Sequence, residues 1–250
     1  MEQMLEATAR AEDRHFWFTG LRRYAKYLLD RALDGRPVRL IVDCGSGTGR
    51  NLDWLGQYGL AVGVERSDVG LRLGRSRRGR LVQATVTALP FADASADVAT
   101  SFDVLYCLDD ASEALALSEM WRVLKPGGVA LVNVAALDVL RGSHSTLTHE
   151  ARRYTRTRLA ARLERAGFRI ERLTYTNMTT FPLTLAVRLA DRLRGRTAIA
   201  SDAEFTVPPA VVNATLDAAL AFESRLLRVV NLPIGSSIMA VARKDQALGA

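Results

Sequence analysis

Only two cysteines, Cys44 and Cys107, occur in 250 residues, and no C-x-x-C pair is formed. A disulfide framework and a zinc or other metal site are not expected, and a reducing cytoplasmic setting fits. No run reaches the roughly 20 apolar residues of a membrane span, and the first ten residues are mixed and charged, unlike a secretory leader. Lysine is scarce too: Lys26, Lys125 and Lys244 are the only ones among 34 basic residues. The net charge of +7 therefore rests on arginine. Apart from small clusters at Arg75, Arg77, Arg78 and Arg80 and at Arg152 and Arg153, the arginines are scattered. A genome-wide bias toward Arg and Ala codons explains that scatter better than a nucleic-acid footprint does, and no RNA-binding module accompanies it. Internal repeats are absent.

What is present is an apolar chain, 48% hydrophobic, long enough for one large α/β domain. Its organising stretch is Val38 to Gly49, V-R-L-I-V-D-C-G-S-G-T-G. Val38, Leu40, Ile41 and Val42 read as a strand buried on both faces. Asp43 and the alternating Gly45, Gly47 and Gly49 follow, a turn that lets backbone approach a ligand with no Cβ in the way. A helix through Asn51, Leu52, Trp54 and Leu55 should come next. Glu65 closes the second apolar run about 20 residues on, where nucleotide-binding folds place an acid on ribose hydroxyls. The turn is neither the dinucleotide fingerprint G-x-G-x-x-G nor a G-K-[ST] phosphate loop.

Asp43-x-Gly45-x-Gly47-x-Gly49 resembles the first motif of class I S-adenosylmethionine-dependent methyltransferases, of the bacterial small-molecule type. Ala88-Leu89-Pro90-Phe91, Asp97 and Asp103-Val104-Leu105 resemble that family's adenine segment and the segment after its fourth strand. Arg122-Val123-Leu124-Lys125-Pro126-Gly127-Gly128 is similar to its turn into strand 5. The resemblance covers about residues 38 to 135. It implies a Rossmann-like fold with a seven-stranded, mostly parallel sheet in the order 3-2-1-4-5-7-6, helices on both faces and a helical cap. It also implies S-adenosylmethionine as cofactor, with S-adenosylhomocysteine as product. The cofactor-binding residues carried over are Asp43, Gly45, Ser46, Gly47, Glu65, Arg66, Thr85, Val86 and Phe102. Thr85 stands where relatives have an acid, and Tyr106-Cys107 where many have Glu-His.

Residues 1–35 read as a helical segment ended by Gly35-Arg36-Pro37. His15-Phe16-Trp17-Phe18 within it has two readings: an aromatic cluster packing on the sheet edge, or a cover in which Trp17 and Arg22 meet the cofactor. Asp68 is expected to cap a helix to about Arg78, and Leu117, Met120, Trp121 and Leu124 to form a buried stripe. A polar loop from Ala135 to Thr155 carries His144, His149, Arg152, Arg153 and Tyr154. An insertion at about 177–231 precedes the last strand. Its stripes are Ala186, Leu189, Ala190 and Leu193, then Leu216, Ala219, Phe222, Leu226 and Val229. They read as core, as a homodimer face, or, with Met178, Phe181, Pro182 and Leu183, as the wall of an apolar substrate pocket.

The expected protein is a single domain over residues 1–250, transferring methyl to an oxygen or nitrogen of a small molecule such as a secondary metabolite or glycoside. Where the acceptor must lose a proton, His149 is the first candidate base, with His15 and Tyr154 next. The other classes are a methyltransferase of RNA or protein and a non-catalytic S-adenosylmethionine-binding protein.

Overall fold

A computed structural model of the chain describes residues 2–141, 150–193 and 206–245. The leading segment is two helices, α1 (Glu2–Ala11) and α2 (Phe16–Leu33). His15 restarts the helix as an N-cap, its Nδ1 accepting the Trp17 N–H at 3.2 Å. Asp34 and Gly35, both left-handed, end α2.

There follow β1 (Leu40–Cys44), the single turn α3 (Leu52–Leu55), β2 (Leu60–Glu65), α4 (Asp68–Leu73), β3 (Leu81–Gln83) and β4 (Ala96–Phe102). Then come α5 (Asp110–Val123), β5 (Leu124–Ala135), α6 (Arg156–Arg165), β6 (Phe168–Thr176), α7 (Phe181–Leu193), α8 (Ala210–Leu226) and β7 (Ser237–Lys244). The sheet order is β3-β2-β1-β4-β5-β7-β6, as expected, with β7 antiparallel to both neighbours. β1, β4, β5 and β7 are buried along most of their length, which their near-continuous apolar runs require. Among the described residues no helix is long and apolar enough to cross a membrane.

Several local expectations change. Ser67, not Asp68, caps α4, its Oγ accepting from the Val69 and Gly70 N–H groups. The helix stops at Leu73 and continues as a 3₁₀ turn over Arg75–Arg80, because Gly70 and Gly74 weaken it. Trp121 leaves the α5 stripe for the surface, where Nε1 donates to Gly167 O and the Lys244 ammonium lies 3.8 Å from the ring centre. In α8 the buried positions are Leu220 and Glu223, whereas Phe222 is 61% exposed. Gly20 of α2 admits this face: a Cβ there would lie 2.5 Å from Leu220 Cδ1. In α7, Leu189 and Leu193 are also exposed.

At the amino edge of the sheet, Asp97 Oδ2 accepts the Arg39 and Leu40 N–H groups while Oδ1 takes Lys125 Nζ at 2.6 Å. Burial acts to raise its pKa, but the Lys125 bond, the two amides and the ammonium charge together hold it below the usual range. A lowered folded pKa gives stability that is complete above the unfolded value and lost as pH falls through the folded one. Asp97→Asn is expected to cost about 1–3 kcal/mol at pH 7, with the gap shrinking toward pH 3. Urea melts at both pH values check this, and an unchanging gap would locate the effect in packing.

Candidate active site

The turn after β1 is held open by backbone conformation and by close packing. Gly45, Gly47 and Gly49 have φ of 81°, 55° and 73°. A Cβ on Gly45 would collide with Val104, so the turn lies directly against the segment after β4. The Gly45 and Ser46 N–H groups both donate to Val64 O at 2.9 Å.

Glu65 ties this turn to the next element. Its Oε2 accepts the Gly47 N–H at 2.8 Å and its Oε1 the Ser67 N–H at 2.7 Å. Two glycines not singled out from the sequence make room. A Cβ on Gly63 would lie 2.5 Å from Ser46 Oγ, and one on Gly70 2.8 Å from Glu65 Cγ. Their only sequence signal is their closeness to Glu65.

Asp43 is buried, with Oδ1 accepting the Thr100 hydroxyl at 2.6 Å. Burial raises its pKa to about 7; the Thr100 bond opposes the rise and the Glu65 charge adds to it. Its Oδ2 and the Ser46 Oγ are buried without a partner among the described residues. A carboxylate oxygen accepts more than one hydrogen bond, so Glu65 keeps capacity for ligand hydroxyls. The turn thus gathers polar oxygens with unused hydrogen-bonding capacity on one side of the sheet.

The other predicted cofactor residues surround it unevenly. Phe102 ends β4 against the Trp54 ring, 6.2 Å between centres. Ala84 N–H donates to Glu65 O, which brings Thr85 and Val86 beside the turn. The Thr85 hydroxyl lies 2.9 Å from Thr87 Oγ1. Arg66 is exposed. Trp17 is half-buried, edge-on to Phe18.

Arg22 reaches the turn through Glu12, a residue that helical periodicity does not mark. Arg22 donates to Glu12 O at 2.7 Å, and the Thr48 hydroxyl donates to the Glu12 carboxylate at 2.8 Å. Leu5 of α1 packs on Gly47. The leading helices thus cover the turn.

Of the candidate bases, His149 lies outside the described residues, as does His144. His15 is the α2 cap stacked on Phe16, and burial lowers its pKa. Tyr154 is 0% exposed and donates to Glu113 Oε1 at 2.6 Å. The described part of this stretch is a loop, as expected, but its side chains are not solvated surface groups: Arg152 pairs with Glu113 and Asp110, and Arg153 with Glu150. The Arg152 and Tyr154 contacts tie the loop to α5, and the Arg153 pair lies within the loop. Leu183 is 57% exposed while Phe181 is buried, so the suggested apolar wall does not stay together.

Residues 42–132 match the profile of a family described as a methyltransferase domain. Over that segment the chain is similar to the class I S-adenosylmethionine-dependent methyltransferases. It is 35% identical over 114 residues to a demethylmenaquinone methyltransferase of Renibacterium salmoninarum, covering 44% of this chain and 47% of that one. It spans about half the length of the curated relatives it matches first. A Thermotoga maritima structure, titled as a possible histamine N-methyltransferase, aligns with a TM-score of 0.60 at 18% identity, over 98% of this chain and 100% of that one. The 1,6-didemethyltoxoflavin-N1-methyltransferase of Burkholderia thailandensis, solved with S-adenosylhomocysteine, aligns with 0.55 at 18%, over 90% and 78%. At such identities the likeness is one of fold.

Gly45→Ala is expected to destabilise the fold by about 2–4 kcal/mol, from left-handed strain plus the Val104 collision. Gly35→Ala, at φ 76° with nothing within 4 Å of an added Cβ, should cost only the strain. Thermal melts of the two variants separate the terms; equal losses would mean that the close approach carries no weight.

Proposed function

We propose that this protein transfers a methyl group from S-adenosylmethionine to an oxygen or nitrogen of a small molecule. The observation that carries the reading is the Glu65 clamp on the Gly47 turn, with the unpartnered Asp43 Oδ2 and Ser46 Oγ beside it. In this reading Glu65 takes the ribose hydroxyls, the Gly45–Gly47 backbone lies along the amino-acid tail, and Thr85 and Val86 meet the adenine. Trp17 and the Arg22–Glu12 pair close over the tail and exclude water.

When bound, the cofactor supplies a methyl group already activated by its sulfonium charge. The protein is left to align the acceptor and dry the site. Burial raises the Cys107 thiol to about 12, which keeps it protonated and unsuited to act as a nucleophile. The setting we infer is cytoplasmic, where both cysteines stay reduced, with a small acceptor rather than nucleic acid as partner.

Glu65→Gln is expected to weaken S-adenosylhomocysteine binding about ten- to a hundredfold, the loss of hydrogen bonds to a charged acceptor. Calorimetric titration checks it. Equal affinities would take Glu65 out of the site, and absence of binding to the wild type would overturn the assignment.

A further inference from the structure

Just past β4 the chain turns through Asp103 in a left-handed conformation, φ 61°, which Asp tolerates better than most residues. Its N–H donates to Asn133 O at 3.1 Å, and Asn133 Nδ2 in β5 donates to its Oδ1 at 2.9 Å. The next residue, Val104, is the one pressed against Gly45. Asp103 therefore stands between the glycine turn and β5, at the carboxyl edge where open parallel sheets bind ligands. It remains partly exposed.

The stretch 150–154 crosses the strand ends beside it. Ala151 N–H donates to Tyr106 O at 2.8 Å and Tyr154 N–H to Ala135 O at 2.9 Å. This stretch brings a second carboxylate, Glu150, but Arg153 holds that one through bonds of 2.9 and 2.8 Å. No cation among the described residues forms an ion pair with Asp103. Burial raises its pKa to about 7; the Asn133 bond opposes the rise, Glu150 adds to it and Arg153 reduces it. Tyr106 and Cys107 are the other titratable groups around it among the described residues, and burial pushes both above their usual ranges.

We propose that Asp103 takes the proton from the acceptor atom that is methylated, which makes the acceptor a hydroxyl, enol or N–H compound rather than a tertiary amine or a thioether. This rests on the cofactor site described above. The acceptor's X–H bond breaks toward an Asp103 oxygen as the X–CH3 bond forms. The methyl–sulfur bond breaks, and its electron pair stays on sulfur. A carboxylate and a sulfonium thereby become a carboxylic acid and a neutral thioether, so charge and protons balance. A base that titrates near neutrality suits proton removal at neutral pH.

S-adenosylmethionine and S-adenosylhomocysteine serve as probes that need no acceptor, because they differ by one methyl and one positive charge. Calorimetry from pH 5.5 to 8.5 is expected to show the affinity ratio of the sulfonium over the thioether rising about tenfold in the wild type, as an ionised carboxylate comes to face the methyl group. In Asp103→Asn the ratio should stay flat, with thioether affinity within about threefold of wild type. A folded pKa raised from the unfolded value means stability is lost as pH climbs between them. Asp103→Asn should therefore melt higher than wild type at pH 8.5. A flat wild-type ratio, or a rise that persists in Asp103→Asn and so belongs to Asp43, would overturn the proposal. So would a tenfold loss of thioether affinity in the variant, which would put Asp103 on the donor's ammonium group. A lower melting temperature at pH 8.5 would make it a structural tie to Asn133. If the wild type bound neither probe, the cofactor assignment itself would fall.

Discussion

One carboxylate, Glu65, closes the junction on which the site depends. It joins the glycine turn after β1 to the start of α4 by accepting one N–H from each. Hydrogen bonds to a charged group contribute about 1.5–3 kcal/mol, and both of these sit at a buried residue. The junction closes only because side chains are missing around it. Gly45 lies against Val104, Gly63 against Ser46 and Gly70 against Glu65 itself. The same carboxylate keeps lone pairs free, so the group that shapes the turn is also the one placed to hold ribose in the proposed complex.

The two edges of the sheet differ in how far their polar groups are satisfied. At the amino edge, Arg243 binds Glu171, Gly127 O and Ala32 O, while the Lys244 ammonium donates to Trp121 O and Leu124 O. At the carboxyl edge, Asp43 Oδ2, Ser46 Oγ and Asn133 Oδ1 are buried and unpartnered among the described residues. Each such atom costs about 1–3 kcal/mol. Groups left unsatisfied at one edge of an otherwise well-bonded sheet are the pattern expected where a ligand completes the bonding.

Much of this was legible in the sequence because it depends on local rules. Apolar runs marked the strands, the alternating glycines marked the turn, and the family resemblance implied the sheet order. The illegible parts depend on tertiary partners. Glu223 is buried in α8 because Oε2 accepts the Thr179 N–H and hydroxyl, which no helical stripe announces. Arg152, Arg153 and Tyr154 read as exposed loop residues but are buried, Arg152 and Tyr154 against Glu113, which lies 39 and 41 positions before them, and Arg153 against the neighbouring Glu150. In the sequence Asp103 reads only as part of a motif; its left-handed turn and its bond to Asn133 appear once β4 and β5 lie side by side.

The central claim is that the Glu65 carboxylate both builds the turn and receives the ligand. A crystal structure with S-adenosylhomocysteine tests it most directly. The account predicts both ribose hydroxyls within about 3 Å of the Glu65 oxygens, with the Gly47 and Ser67 N–H bonds intact. A ligand bound elsewhere, or a Glu65 side chain swung out of contact with the ribose, would contradict it.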